Sequence, residues 1–125
     1  MSSEGYNKGL EVRRAVLGAQ HVDNSLKNAD EFTAPMQELV TEHCWGSVWQ
    51  RPGLERKTRS MITLAMLIAL NRPHEIKIHL RGALNNGVTQ DEIRELFLHA
   101  SAYCGFPAAI DGLRTAKEFF ADAKA

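Results

Sequence analysis

Ionisable side chains crowd one stretch of this chain, Arg72-Pro-His-Glu-Ile-Lys-Ile-His-Leu-Arg-Gly-Ala-Leu-Asn-Asn86. Pro73 suits a first helical position, where its missing N–H costs nothing and its fixed φ helps. Gly87 supplies a stop. Spacings of three, four and seven return to one face of a helix. Arg72, Glu75, His79 and Asn86 therefore share a stripe, and His74, Lys77 and Arg81 share its neighbour. The chemistry open to such stripes is proton transfer beside anion binding. The His79 imidazole can donate or accept a proton near neutral pH, and Glu75, four residues earlier, could orient it or relay the proton. Arg72 and Arg81 could clamp carboxylates by bidentate hydrogen bonds, with Arg51 and Arg59 as further candidates from adjoining segments. His74 could donate to a carboxylate, and Trp45 and Trp49 could wall a pocket and exclude water.

Each residue also has a plain structural reading. Glu75 at the third helical position complements the helix dipole whatever else it does. His74 in the first turn fits a surface, Arg81 could pair with a surface acid, and Arg72 could be solvated. Trp45 and Trp49 fit a core or an interface. Cys44 and Cys104 read as small core residues, and His21, His43 and His99 have no motif around them. A metal site is not expected. His74 and His79 lie about 140° apart on a helix, whereas chelation wants spacings of three or four, and Glu75 with His79 lacks a third ligand.

The elements that must position these groups read as helices. Of 125 residues, 44% are hydrophobic, enough for the core of one domain spanning 1–125. Fifteen basic and fifteen acidic residues cancel, so no long-range field draws nucleic acid or an anionic membrane. The polar start lacks an apolar core for a secretory signal, and the longest apolar run, Met61 to Leu70, is about half a membrane span. Two distant cysteines form no CxxC pair. A soluble cytoplasmic protein with reduced thiols is expected.

No segment alternates with period two, so no strand is expected. Helices are expected over Glu4–Leu17, after an N-cap at Asp23, and over Asp30–Trp45 with Phe32, Met36, Leu39 and Val40 inward. Trp45 to Gly53 reads as a structured connection. A helix over Leu54–Leu70 follows, apolar all round in its second half, a pattern for burial in the domain or between subunits. After the polar helix, Thr89-Gln-Asp-Glu92 is a capping box opening a helix through Tyr103. Gly105-Phe-Pro107 breaks the chain before a last helix over Ala108–Ala123. The fold class is all-α, with six or seven helices.

Several stretches resemble the carboxymuconolactone decarboxylase family over nearly the whole chain. They are Gly9-Leu-Glu-Val-Arg-Arg14, Cys44-Trp-Gly46, Trp49-Gln-Arg-Pro-Gly-Leu-Glu-Arg-Lys-Thr-Arg-Ser60, Asn71-Arg-Pro-His-Glu75, His79-Leu-Arg-Gly-Ala-Leu-Asn-Asn-Gly87 and Tyr103-Cys-Gly-Phe-Pro-Ala-Ala109. The wider superfamily includes AhpD-type alkylhydroperoxidases, with a glutamate, a redox Cys-x-x-Cys and a histidine. Alignment on His79 puts Arg72 and Glu75 at the two cysteine positions and Ser60 at the glutamate. A peroxidase cycle needs an attacking thiolate and a resolving thiol. Neither is present there, and residue type excludes that chemistry.

The resemblance implies an AhpD-like helical domain that assembles as a homo-oligomer, commonly a hexamer built as a trimer of dimers. It implies a small-molecule lactone dicarboxylate as substrate, 4-carboxymuconolactone, decarboxylated to the β-ketoadipate enol-lactone in protocatechuate catabolism. Electrons released with CO2 pass through the ring double bond into the lactone carbonyl. The substrate is then its own electron sink, and no cofactor is needed (contrast pyridoxal or thiamine chemistry). On this reading His79 and Glu75 are catalytic, while Arg72, Arg81, His74, Arg51, Arg59, Trp45 and Trp49 bind substrate. Two alternatives stand beside it: a related non-redox member acting on another lactone or keto acid, and a non-catalytic oligomeric binding or stress protein on the same scaffold.

Overall fold

The computed structural model describes residues 3–124, and among them all regular structure is helical. Seven α-helices are joined by short links, and a π-helix extends the third. The chain divides into two compact units, Met1–Arg56 and Lys57–Ala125.

In the first unit, α1 covers Glu4–Leu17, the span its apolar spacing predicts. The Ser3 hydroxyl accepts from the Tyr6 N–H at 3.0 Å, satisfying one of the orphan donors of the first turn. Gly18, at φ 93, ends α1, and α2 (Ala19–Asn28) starts on the next residue. The expected N-cap at Asp23 is thus corrected. A single glycine with positive φ makes the whole corner, and Asp23, inside α2, pairs with Arg14 at 2.7 Å. Asp30 and Thr33 exchange backbone-to-side-chain hydrogen bonds ahead of α3 (Ala34–Leu39), whose first turn takes Pro35.

Helix α3 runs directly into the π-helix, Val40–Trp49. The connection expected to begin at Trp45 therefore begins only after Trp49. Gly46 does not stop the helix because its use is close approach. A methyl there would overlap the Gly5 carbonyl, and one at Gly9 would overlap the Thr41 carbonyl, so these glycines let α1 and the π-helix meet backbone to backbone. The inward residues differ from expectation as well. Phe32, Met36 and Leu39 are exposed, and Val40 is half-buried. The buried positions are Thr41, Trp45 and Trp49, a spacing of four read from the π-helical segment onward.

The second unit holds α4 (Arg56–Leu70), α5 (Pro73–Asn85), α6 (Gln90–Cys104) and α7 (Phe106–Lys124). Helix α4 starts two residues later than expected, beyond Pro52-Gly53, and α7 starts two earlier. Gly105, at φ 93, again turns the corner alone, and Pro107 falls in the first turn of α7, where proline is tolerated. Between α4 and α5, Asn71 takes a left-handed φ of 55, which asparagine bears better than most residues. The core gathers Leu64 and Ile68 of α4, Ile76 and Leu80 of α5, Phe97 of α6 and Ala116 of α7. Gly112 leaves room on α7 for the Phe97 ring. The Thr89–Glu92 capping box forms in full, and Glu92 also pairs with Lys57 at 3.1 Å. One face of α4 is not covered: Ile62, Met66 and Leu70 are exposed.

Candidate active site

The site is built on α5. Its N-cap is Arg72, which donates to the Leu70 carbonyl at 3.2 Å and is otherwise at the surface. Glu75 lies in the exposed first turn, and His79 follows one turn later on the same face, half-buried, with Nδ1 under the surface. Seven residues on, Asn86 caps the helix and donates from Nδ2 to the Ser60 hydroxyl of α4 at 2.9 Å. Ser60 is fully buried. That bond fixes the roll of α5 against α4, and with it the direction of the Arg72–Glu75–His79 stripe.

The neighbouring stripe turns toward α7. Lys77 pairs with Glu118 at 2.8 Å, a hydrogen bond that raises the lysine pKa and lowers that of the carboxyl. The Arg81 guanidinium lies over the Phe119 ring, 5.0 Å from its centre. Arg81 is thus held on an aromatic face with its surface exposed, while His74 is exposed in the first turn. Arg59 is half-buried on α4 with its Nε inside.

The other candidates belong to the first unit. Trp45 and Trp49 are 3% and 6% exposed and stack with centroids 4.7 Å apart, so they are core residues of that unit. Arg51 is exposed in the connection after the π-helix. Cys44 is half-buried, and burial pushes its thiol pKa up, against a smaller opposing pull from Arg13. Cys104, read as a core residue, is exposed.

Two grooves open in the second unit. One of about 470 Å³ lies between α6 and α7 beside Phe97 and Phe120, and one of about 900 Å³ lies between α4 and α6 beside Met61, Leu96 and His99. None of the predicted site residues lines either groove. Among the described residues no three His, Cys, Asp or Glu side chains gather as a metal site, and no helix is long and apolar enough to cross a membrane.

Two polar residues with structural weight escape a reading by stripes of charge. Ser60 sits on an apolar helix, and only its partner Asn86 reveals it. Arg13 is 7% exposed, and here a signal exists: it falls four residues from both Gly9 and Leu17, on the buried face of α1.

Sequence comparison bears on what this arrangement does. The model of the "Carboxymuconolactone decarboxylase family" matches residues 34–118. The chain is 50% identical to the 4-carboxymuconolactone decarboxylase of Acinetobacter baylyi over 117 residues, 94% of this chain and 87% of that one. It is 53% identical to the nitrosuccinic acid decarboxylase npaB of Metarhizium robertsii over 108 residues, 86% of this chain and 76% of the relative. With the polar α5 stripe on an all-helical AhpD-like scaffold, and with a family match that takes in α3 and every later helix of the core, the chain belongs to the carboxymuconolactone decarboxylase family.

Proposed function

We propose that this chain is a cofactor-independent carboxy-lyase that converts 4-carboxymuconolactone to the β-ketoadipate enol-lactone and CO2. The observation that carries this reading is 50% identity to a 4-carboxymuconolactone decarboxylase over 94% of the chain. The carboxylate leaves the γ-carbon of the ring as CO2, and its bonding pair moves through the ring double bond onto the carbonyl oxygen of the lactone. The resulting dienolate takes a proton at the carbon beside the carbonyl, which restores the lactone and leaves the enol double bond. His79 delivers that proton and Glu75 orients the imidazole. Arg72 and Arg81 hold carboxylates, supported by Arg59 and His74.

The whole chain acts as one domain, in the cytoplasm, within protocatechuate breakdown; the family match runs across the boundary between the two units. It works as a homo-oligomer, a hexamer made as a trimer of dimers, for which the exposed Ile62, Met66 and Leu70 supply an apolar contact face.

A second reading has its own support in the 53% identity to a nitrosuccinic acid decarboxylase. A nitro group can also accept the electron pair left by CO2, so the same residues would serve a nitro dicarboxylate. An ultraviolet assay with enzymatically generated 4-carboxymuconolactone and with nitrosuccinate, each with EDTA and no added cofactor, separates the two. Lactone turnover trapped by enol-lactone hydrolase supports the first reading. Turnover of nitrosuccinate alone replaces it with the second.

A further inference from the structure

We propose that the groove between α6 and α7 binds an apolar monocarboxylate, a single carboxylate carried on a hydrocarbon body. The site lies wholly within the second unit, and no residue of the α5 stripe belongs to it.

At about 470 Å³ the groove has the size of clefts in which proteins take small molecules. It lies between the first half of α6 and the second half of α7, at the end away from the Gly105 corner that joins them. Its floor is hydrocarbon. Ile93 and Phe97 of α6 are buried, Phe120 of α7 is half-buried, and Leu113 is left exposed. Ala116 and Ala121 contribute only a methyl each on the α7 side, which keeps the space open.

Charge supplies the second half of the argument. The charged side chains along the groove are both cations, Arg94 from α6 and Lys117 from α7, and among the described residues no carboxylate lines it. Lys117 forms no ion pair among those residues. The sequence explains why: positions three and four away hold Leu113, Arg114, Phe120 and Ala121, so no acid is within helical reach. The adjacent acid, Glu118, turns to α5 and holds Lys77 at 2.8 Å. Arg94 donates from Nη2 to Asp91 at 3.2 Å, in a pair whose side chains are 60% and 82% exposed. Such an exposed pair is weak, and the remaining guanidinium donors are open to a second acceptor. A carboxylate here takes donors from both helices while its hydrocarbon body covers Phe97 and Phe120. A dicarboxylate does not fit, because its second charge would be desolvated on the apolar floor without a partner. The ligand is therefore of a different class from the lactone substrate.

The test is isothermal titration calorimetry on the full chain with sodium octanoate as probe. Sodium acetate serves as the carboxylate alone and 1-octanol as the body alone. The wild type is expected to bind about one octanoate per chain with a negative heat-capacity change, and to bind either control roughly tenfold more weakly. Joint substitution Arg94→Gln and Lys117→Gln should weaken octanoate roughly tenfold, to the level of octanol. Ala121→Leu, which fills the groove and keeps both cations, should weaken it as well. All three positions are exposed, so circular dichroism should show the helices intact. Absence of octanoate binding by the wild type, or an affinity that neither variant changes, overturns the proposal. Many octanoates per chain would also overturn it, as adsorption to apolar surface. So would an affinity that falls as protein concentration and particle mass rise together, because a second copy would then fill the groove. None of these readouts needs turnover, so the result stands whether or not the chain acts on the lactone.

Discussion

On the proposed mechanism His79 is the carbon-protonating acid: it supplies an imidazole, half-buried, with the Glu75 carboxylate one turn earlier on the same helix. His79→Ala should cut kcat by roughly 10²–10⁴-fold, while oligomer size and Tm stay near wild type. Loss of assembly or of the folded state, seen by light scattering and circular dichroism, would instead make His79 structural. The stripe that carries it was legible in the sequence, because spacings of three, four and seven fix a helix face wherever the helix packs. Which stripe meets which neighbour was not. Lys77 and Arg81 turn to Glu118 and Phe119 of α7, contacts more than thirty residues away that no local pattern encodes.

Among the elements, the α6 capping box was read well, whereas the N-cap assigned to Asp23 and the one-residue glycine corners were not. Ser3 and the Thr89–Glu92 box mark helix starts by local hydrogen bonding, whereas Gly105 was read as opening a three-residue break, and both it and Gly18 turn the chain in one residue. The π-helix was hidden for another reason: its glycine serves tertiary contact rather than termination. Gly9→Ala should destabilise by about 1–3 kcal/mol, since the methyl meets a backbone carbonyl that no rotamer change can remove. A urea titration followed by circular dichroism would measure it, and an unchanged midpoint would deny the close contact. The α6 cap makes a prediction in pH. The Glu92 carboxyl is held below its ordinary 4.5, first by the Thr89 N–H and then by Lys57. Its contribution is therefore full above the unfolded value and disappears as pH falls through the lower folded one. Glu92→Gln keeps the cap hydrogen bond without the titrating group, so the gap in Tm between variant and wild type should shrink on acidification below about pH 4.5.

For the whole molecule, the uncovered face of α4 is the feature to test. Met66 is 59% exposed between Ile62 and Leu70, and Met66→Glu should shift the particle to a smaller mass by light scattering without loss of helix signal. Unchanged mass would move the contact elsewhere. The sequence marked this segment as too apolar for a surface helix, a property of composition that survives any error in boundaries. The stacked tryptophans have a different consequence. Both tryptophans of the chain lie in the first unit, 4.7 Å apart, and the second unit has none. Their emission is a built-in optical label for one half of the molecule, whereas far-ultraviolet ellipticity sums over all its helices. Coincident thermal transitions by the two signals would describe a single cooperative unit, and an earlier change in emission would show the N-terminal half letting go first.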